Sequence, residues 1–152
     1  MFKTAWNVLR TAKRFMFSSK QDIHVQAAKG NVDNVVALLD DDPKLVNLVD
    51  PMDFGTPLHW AAIYGQVASC KTFIARGADL EIVDDCGQTP LFWAIRSGEF
   101  EAVRLLLARR ANTNMKDQEG HTPLEHAEKH GQKKIAALLR KHASDKPKRN
   151  RE

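Results

Sequence analysis

Cysteine is scarce in this chain of 152 residues, and long apolar runs are missing from it. The two cysteines, Cys70 and Cys86, could form at most one disulfide and are too few for a four-cysteine zinc site. Such a low cysteine content is typical of proteins in a reducing compartment. No segment approaches the roughly 20 consecutive apolar residues of a transmembrane helix. The sequence therefore predicts neither a disulfide-dense scaffold nor a membrane-spanning helix.

The short motifs that often carry catalysis are also missing. The sequence has no glycine-rich phosphate-binding loop, no HExxH, no Gly-x-Ser-x-Gly and no Cys-x-x-Cys. His126 and His130 could share one helix face, but no third metal ligand accompanies them. Asp84 and Asp85 precede Cys86, and their charges should raise the pKa of its thiol and disfavour the thiolate. We therefore expect no enzymatic activity, no cofactor and no bound metal.

The net charge of +4 is distributed unevenly along the chain. Residues 1–20 contain five basic side chains and no acidic one, whereas residues 140–152 contain six basic and two acidic side chains. The intervening residues 21–139 hold 12 basic and 17 acidic side chains, a net charge of −5. Nucleic-acid binding requires basic residues clustered on the folded domain, so we do not expect it of this acidic body.

One hexapeptide pattern occurs three times at an interval of 33 residues. Residues 56–61 read TPLHWA, residues 89–94 read TPLFWA, and residues 122–127 read TPLEHA. A glycine follows each copy at the same offset, and a fourth copy without Thr-Pro occupies residues 23–30. Threonine can cap a helix, proline suits its first turn, and glycine ends it. We therefore predict stacked pairs of short helices, because one pair alone could not bury its apolar face.

These residues resemble the ankyrin-repeat family, with its 33-residue period and Thr-Pro-Leu-His start. The resemblance covers residues 22–142. It is strongest in the second repeat, at Thr56, Pro57, Leu58, His59, Ala61, Ala62, Gly65, Gly77, Ala78 and Asp79. It implies an all-α solenoid of about four helix-turn-helix units with loops projecting to one side. We divide the chain into a basic amphipathic helix at residues 1–20, an ankyrin-repeat domain at residues 21–142 and a basic disordered tail at residues 143–152.

Three substitutions depart from the family pattern. Phe92 and Glu125 replace the histidine of the motif, so we expect the Thr–His hydrogen bond typical of the family only at His59. Arg110 stands where a glycine would end the helix, which should cost some stability.

The loops depart from the pattern in length. Residues 40–50 lengthen the first outer loop by two, and the loop before Thr56 is expected to be one residue short, at Gly55. The first copy is therefore predicted to form a variant N-terminal cap.

Two tryptophans, Trp60 and Trp93, occupy equivalent positions on the inner helices. Large aromatic side chains bury well where such helices meet. We therefore predict that both pack in the core and do not serve as a platform for a ligand.

In the resembled family, partners usually dock on the loop tips and the adjoining ends of the inner helices. The corresponding residues of this chain are Met52, Phe54, Ile63, Tyr64, Cys86, Gln88, Arg96, Ser97, Gln118, Glu119, His121, Lys129 and His130. Met52, Phe54, Ile63 and Tyr64 are apolar or aromatic, and exposed patches of this kind often bind proteins. Alternatively, the loop folds Met52 and Phe54 inward against Ile63. We expect a monomer that binds a protein partner of unknown identity.

Residues 1–20 would form an amphipathic helix that is basic and free of acids. Its composition suits a mitochondrial presequence or a helix on an anionic membrane surface, and alternatively a helix that packs on the first repeat. The residues that would carry targeting or membrane contact are Phe2, Lys3, Trp6, Leu9, Arg10, Lys13 and Arg14. In the alternative function, an adaptor on a membrane or in mitochondria, this helix is the main functional element.

The compartment expected from the sequence is the cytoplasm. If residues 1–20 act as a signal, the alternatives are the mitochondrion or a membrane surface. The basic run at residues 146–151 adds the nucleus as a further alternative.

Overall fold

A computed structural model describes residues 23–145 of the chain. These residues form eight α-helices and one 3-10 helix, and no strand occurs among them. The α-helices are α1 (Ile23–Lys29), α2 (Val32–Asp41), α3 (Pro57–Ile63), α4 (Val67–Ala75), α5 (Pro90–Ser97), α6 (Phe100–Ala108), α7 (Pro123–Lys129) and α8 (Lys133–Ser144). The 3-10 helix Pro43–Asn47 lies in the lengthened first outer loop. The prediction of an all-α stack of four helix pairs is confirmed.

Two predicted segments lie wholly or mostly outside the described residues. The basic amphipathic helix at residues 1–20 is one of them, together with its proposed targeting residues. The other is the tail at residues 143–152, of which the structure describes only residues 143–145. Among the helices of residues 23–145, none has the length and apolar character needed to cross a membrane.

Three of the inner helices begin at a Thr-Pro dipeptide. Thr56, Thr89 and Thr122 have extended backbones with φ of −84°, −81° and −76°, and each following proline occupies the first helical turn. Proline fits this position because a helix leaves the first N–H groups without an intrahelical partner. The repeated dipeptide therefore fixes where α3, α5 and α7 start.

The helices form two rows that enclose a continuous core. The inner row is α1, α3, α5 and α7, the outer row is α2, α4, α6 and α8, and each helix packs against its neighbours in the row. Leu58 and Leu91 of the inner row and Phe73 and Leu106 of the outer row are fully buried in this core. Burial of such side chains stabilises each by about 1.5–3 kcal/mol relative to exposure, so neighbouring repeats stabilise one another.

The two tryptophans differ in burial. Trp93 is only 4% exposed, as predicted. Trp60 is half-buried and packs against the edge of the core. The prediction of core packing therefore holds fully for Trp93 and in part for Trp60, whose ring borders the surface.

Arg110 ends the outer helix of the third repeat in the left-handed conformation. Its φ is 65°, and Gly77 ends the equivalent helix α4 with a φ of 87°. The Arg110 N–H donates to the Leu107 carbonyl at 3.0 Å, just as the Gly77 N–H donates to the Ile74 carbonyl at 3.1 Å. Arg110 therefore occupies the helix-ending position where the family pattern has glycine, as the sequence indicated.

We call residues 50–55, 84–88 and 117–121, each of which precedes an inner helix, the first, second and third loops. The first loop is longer than predicted. In the second loop the Asp84 N–H donates to the Gln88 carbonyl at 2.9 Å, across three intervening residues. In the first loop the Asp50 N–H donates to the Gly55 carbonyl, also at 2.9 Å, across four. The prediction of a loop one residue short was therefore wrong, because the loop accommodates one extra residue in its turn.

Phe54, and not Gly55, takes the left-handed position of this loop. Phe54 has a φ of 60°, matching Gly87 and Gly120 in the next two loops, at 71° and 84°. Gly55 is needed for another reason, since a Cβ there would lie 3.0 Å from the ring of Trp93. The glycine allows the loop to approach this ring closely.

Candidate functional site

Trp93 joins the first and second loops to the inner helices. Its indole Nε1–H donates a hydrogen bond of 2.6 Å to Asp84 Oδ2. Its ring meets those of His59 and Trp60 edge-on, with centroids 5.1 and 5.6 Å apart. On another side, the Arg96 guanidinium lies 5.2 Å from the ring centroid. Through these contacts the buried indole of Trp93 connects the second loop with helices α3 and α5.

The Asp84 carboxylate is fully used inside the second loop. Oδ1 accepts the N–H groups of Cys86 at 2.9 Å and Gln88 at 2.8 Å, while Oδ2 accepts the Trp93 indole. Within the described residues, Asp84, Asp85 and Cys86 are the one group of three side chains whose donor atoms could meet at a metal ion. The hydrogen bonds of Asp84 hold the loop together, and this loop structure accounts for the closeness of the three side chains. Asp84 recurs 33 residues later as Asp117, so the 33-residue repeat in the sequence also marks this loop aspartate.

Cys86 is a free, exposed thiol in this loop. Desolvation raises the pKa of the thiol most, followed by its hydrogen bond to Asp85 and the charges of Asp84 and Asp85. The direction agrees with the sequence prediction. A raised pKa lowers the thiolate fraction at neutral pH, so this geometry does not favour a nucleophile.

His59 forms the predicted hydrogen bonds with Thr56. Nδ1 accepts the Thr56 N–H at 3.0 Å and lies 2.9 Å from Thr56 Oγ1, while Nε2 lies 3.0 Å from the Gln88 carbonyl. Burial lowers the pKa of His59 to about 4, although the hydrogen bond to Gln88 raises it. The neutral ring therefore links two repeats, with Nε2–H as the donor. Glu125 replaces it in the fourth repeat by accepting the Thr122 N–H at 2.7 Å.

The predicted apolar residues of the second repeat reach the surface. We use the name apolar patch for Met52, Phe54, Ile63 and Tyr64. Met52, Phe54 and Tyr64 are 37%, 51% and 56% exposed, and Ile63 is half-buried. The Tyr64 ring stacks on Trp60, with centroids 6.3 Å apart and planes inclined by 16°. The alternative in which the loop folds Met52 and Phe54 inward does not fit these exposures.

The other predicted contact residues fall into two groups. The exposed ones are Cys86, Arg96, Ser97, Gln118, Glu119, Lys129 and His130, and His121 is half-buried. Gln88 is only 9% exposed, because its main chain closes the second loop and bonds to His59, so it cannot offer the contact surface that was predicted. Lys129 Nζ donates to Glu119 Oε2 at 2.8 Å and thereby joins the third loop to α7.

The rings of His126 and His130 are close together, with centroids 4.5 Å apart. His126 is buried against Phe92, edge-on at 5.6 Å. Burial lowers the pKa of His126, and the neighbouring His130 lowers it further. Among the described residues, no third metal-binding side chain has its donor atom near both rings. The geometry fits packing at the terminal repeat.

The family model for ankyrin repeats, in three copies, matches residues 58–150, which is more than half of the chain. The matched range includes most of α3 and all of α4 to α8, and the helix pair α1 and α2 precedes it. Repeats of this kind generally serve as protein–protein interaction modules and are typically non-catalytic. The chain therefore belongs to the ankyrin-repeat family.

Proposed function

We propose that this protein binds a protein partner, without catalysis, on the loop tips and the adjoining ends of the inner helices. The apolar patch is the centre of this surface. Exposed aromatic and apolar side chains of this kind often mark interaction sites, and buried aromatics contribute most to interface energies. The exposed polar residues Arg96, Ser97 and Gln118 would lie at its edge.

The observation that carries this proposal is the conformation of Phe54. A left-handed backbone costs a residue other than glycine about 1–2 kcal/mol. The next two loops have glycine at this position, so the fold itself does not require a phenylalanine. The loop thus holds an exposed phenylalanine, 51% accessible, at the expense of backbone strain. Strain of this kind is concentrated at binding and catalytic sites.

Phe54→Gly separates stability from binding. We expect it to raise the free energy of unfolding by about 1 kcal/mol, since glycine adopts this conformation without strain. The same variant should lose partner binding, because the exposed ring is removed. Urea denaturation measures the first effect, and affinity capture from the native source, followed by mass spectrometry, measures the second.

Tyr64→Ala should also lose the partner while leaving thermal stability nearly unchanged, since Tyr64 is 56% exposed. Phe100→Ala is the matched control, because Phe100 is an exposed phenylalanine at the start of α6, away from the loop tips. We expect this control to retain every captured partner. Capture that survives in both Phe54→Gly and Tyr64→Ala would refute the proposed surface.

A further inference from the structure

The solenoid is electrically polarised along its axis. Residues 45–95 contain two basic side chains, Lys71 and Arg76, and six acidic ones. Their acidic residues are Asp50, Asp53, Asp79, Glu81, Asp84 and Asp85. Residues 96–145, in contrast, contain ten basic and seven acidic side chains. The apolar patch therefore lies in the acidic half of the repeat stack.

Exposed apolar side chains are concentrated in the same half. Seven large hydrophobic residues are notably exposed among the described residues, and six of them fall within residues 45–95. Those six are Leu48, Val49, Met52, Phe54, Tyr64 and Val83. An exposed surface that combines apolar side chains with charges of one sign is complementary to a segment with apolar side chains and the opposite charge.

Three carboxylates, those of Asp50, Asp53 and Asp85, lie near one another at the first two loop tips, beside Met52 and Phe54 of the apolar patch. The Asp85 N–H donates to the Asp53 carbonyl at 3.2 Å, so the first two loop tips adjoin. The pKa of Asp53 is raised, mainly by burial and further by the charges of Asp50 and Asp85. Within residues 23–145, none of these three carboxylates forms an ion pair. No cation of the described residues neutralises these three carboxylates directly, so they can attract the cations of a partner.

We propose that this surface binds a cationic segment of a partner protein, in which lysines or arginines flank an aromatic or aliphatic side chain. This inference rests on the proposed function. The apolar side chain of the segment packs against Phe54 and Tyr64, and its cations face Asp50, Asp53 and Asp85. A guanidinium or ammonium group also gains from the faces of exposed aromatic rings. Attraction between opposite charges steers the encounter, and repulsion between like charges disfavours acidic segments.

The binding test uses the full chain and a synthetic probe. The probe is a fluorescein-labelled peptide of about 12 residues, in which lysine and arginine flank one tryptophan. One matched peptide has glutamate at every basic position, and another has serine in place of tryptophan. We expect fluorescence anisotropy to show binding of the cationic peptide, weaker binding of the serine peptide and none of the glutamate peptide. The affinity should fall as salt rises, because the charges are exposed.

Charge-neutralising variants locate the binding surface. Asp53→Asn with Asp85→Asn should weaken peptide binding about tenfold, the result of losing two charge pairs at the protein surface at about 0.7 kcal/mol each. Asparagine keeps an oxygen that can accept the Gly55 N–H, which Asp53 Oδ1 accepts at 2.9 Å. Asp33→Asn with Glu101→Gln is the matched control, since both acids lie in the first turns of outer helices. The control should change the affinity less than twofold.

Three results would overturn the proposal. The first is equal binding of the cationic and glutamate peptides, and the second is an equal loss in the control variant. The third concerns residues 1–20, which share the proposed chemistry. If the full-length variant W6S/R10Q/R14Q binds the peptide at least tenfold more tightly than the wild type, this segment competes for the surface and the assignment to a partner falls.

The two proposals fail in different ways. If Phe54→Gly abolishes capture of the native partner while the Asp53 and Asp85 variant retains it, the binding surface stands and the cationic partner is wrong. If Phe54→Gly affects neither the peptide nor the native partner, the proposed function itself is wrong.

Discussion

Among residues 23–145, Phe54 and Arg110 are the two side-chain-bearing residues with a positive φ, at 60° and 65°. Their surroundings differ. Arg110 ends an outer helix, where the closing hydrogen bonds require a left-handed backbone whatever the side chain. Phe54 lies exposed at a loop tip, next to Gly55, whose backbone closely approaches the buried Trp93. At Arg110 the backbone strain is a by-product of ending the helix. At Phe54, in our proposal, the strained backbone presents the ring to a partner.

Arg110→Gly should stabilise the protein by about 1 kcal/mol, because glycine adopts a positive φ without the clash of a Cβ. Gly77→Ala is the inverse variant at the equivalent helix end, where a Cβ would meet no atom within 4 Å. It should therefore lose about 1 kcal/mol through backbone strain alone. Urea denaturation of both variants measures these changes. A destabilised Arg110→Gly would show that the arginine side chain contributes more than its backbone costs.

At the scale of elements, side-chain hydrogen bonds join each repeat to the next. His59 Nε2 bonds to the Gln88 carbonyl of the following loop. Gln66 and Gln132, which precede α4 and α8, donate to carbonyls of the preceding repeat, those of Ala28 at 3.1 Å and Ile95 at 2.5 Å. These bonds satisfy polar groups at the ends of helices and loops and so fix the register of the stack.

The stability of the stack should depend on pH through His59. Its pKa is lowered from about 6.5 to about 4 in the folded chain. The unfolded chain therefore takes up the proton first, so the full stability is present above pH 6.5 and declines as the pH falls toward 4. By pH 5 the loss from this group alone should be about 2 kcal/mol. The lowered pKa of His126 adds to the loss in the same direction.

His59→Phe, which copies Phe92 of the next repeat, separates this effect from the titration of carboxylates. At pH 8 it should be less stable than the wild type by about 1–3 kcal/mol, because the Gln88 carbonyl loses its donor. The difference between the two proteins should shrink by about 2 kcal/mol at pH 5. NMR titration of the His59 ring gives the pKa directly, and a value near 6.5 would contradict this account.

At the scale of the whole molecule, an acidic repeat domain lies between two basic ends. Residues 21–145 hold 14 basic and 18 acidic side chains, although the full chain is basic, with a pI near 9.2. Attraction to anionic surfaces is therefore a prediction for the ends alone, and binding of a cationic partner is our proposal for the repeats. The membrane or mitochondrial role of residues 1–20 stays a prediction.

A chain shortened to residues 21–145 should fold, because the buried core of the described residues lies within α1 to α8. We expect helical circular dichroism, one cooperative melting transition and retention on an anion-exchange column at pH 7.5. The full chain should pass through the same column. If the shortened chain fails to melt cooperatively, residues outside this range contribute to the core.

The sequence alone predicted the helix pairs, their starts at Thr-Pro, the all-α stack and the exposed position of Tyr64, but it left an inward position of Phe54 open as an alternative. The helix starts follow from local chemistry, since threonine caps and prolines act within one turn of helix, and the stack follows from the 33-residue period. The exposure of Tyr64 follows in the same way from its place at the end of an inner helix.

The tertiary structure alone decided the length and turn of the first loop. Matching glycine with glycine placed Gly55 in the turn, but the ring of Trp93, 38 positions further along the chain, requires glycine there and leaves the left-handed position to Phe54. Burial of Gln88 depends likewise on His59, which lies in the preceding repeat. Such contacts join residues that are distant in sequence, and no local pattern records which rings and carbonyls will meet.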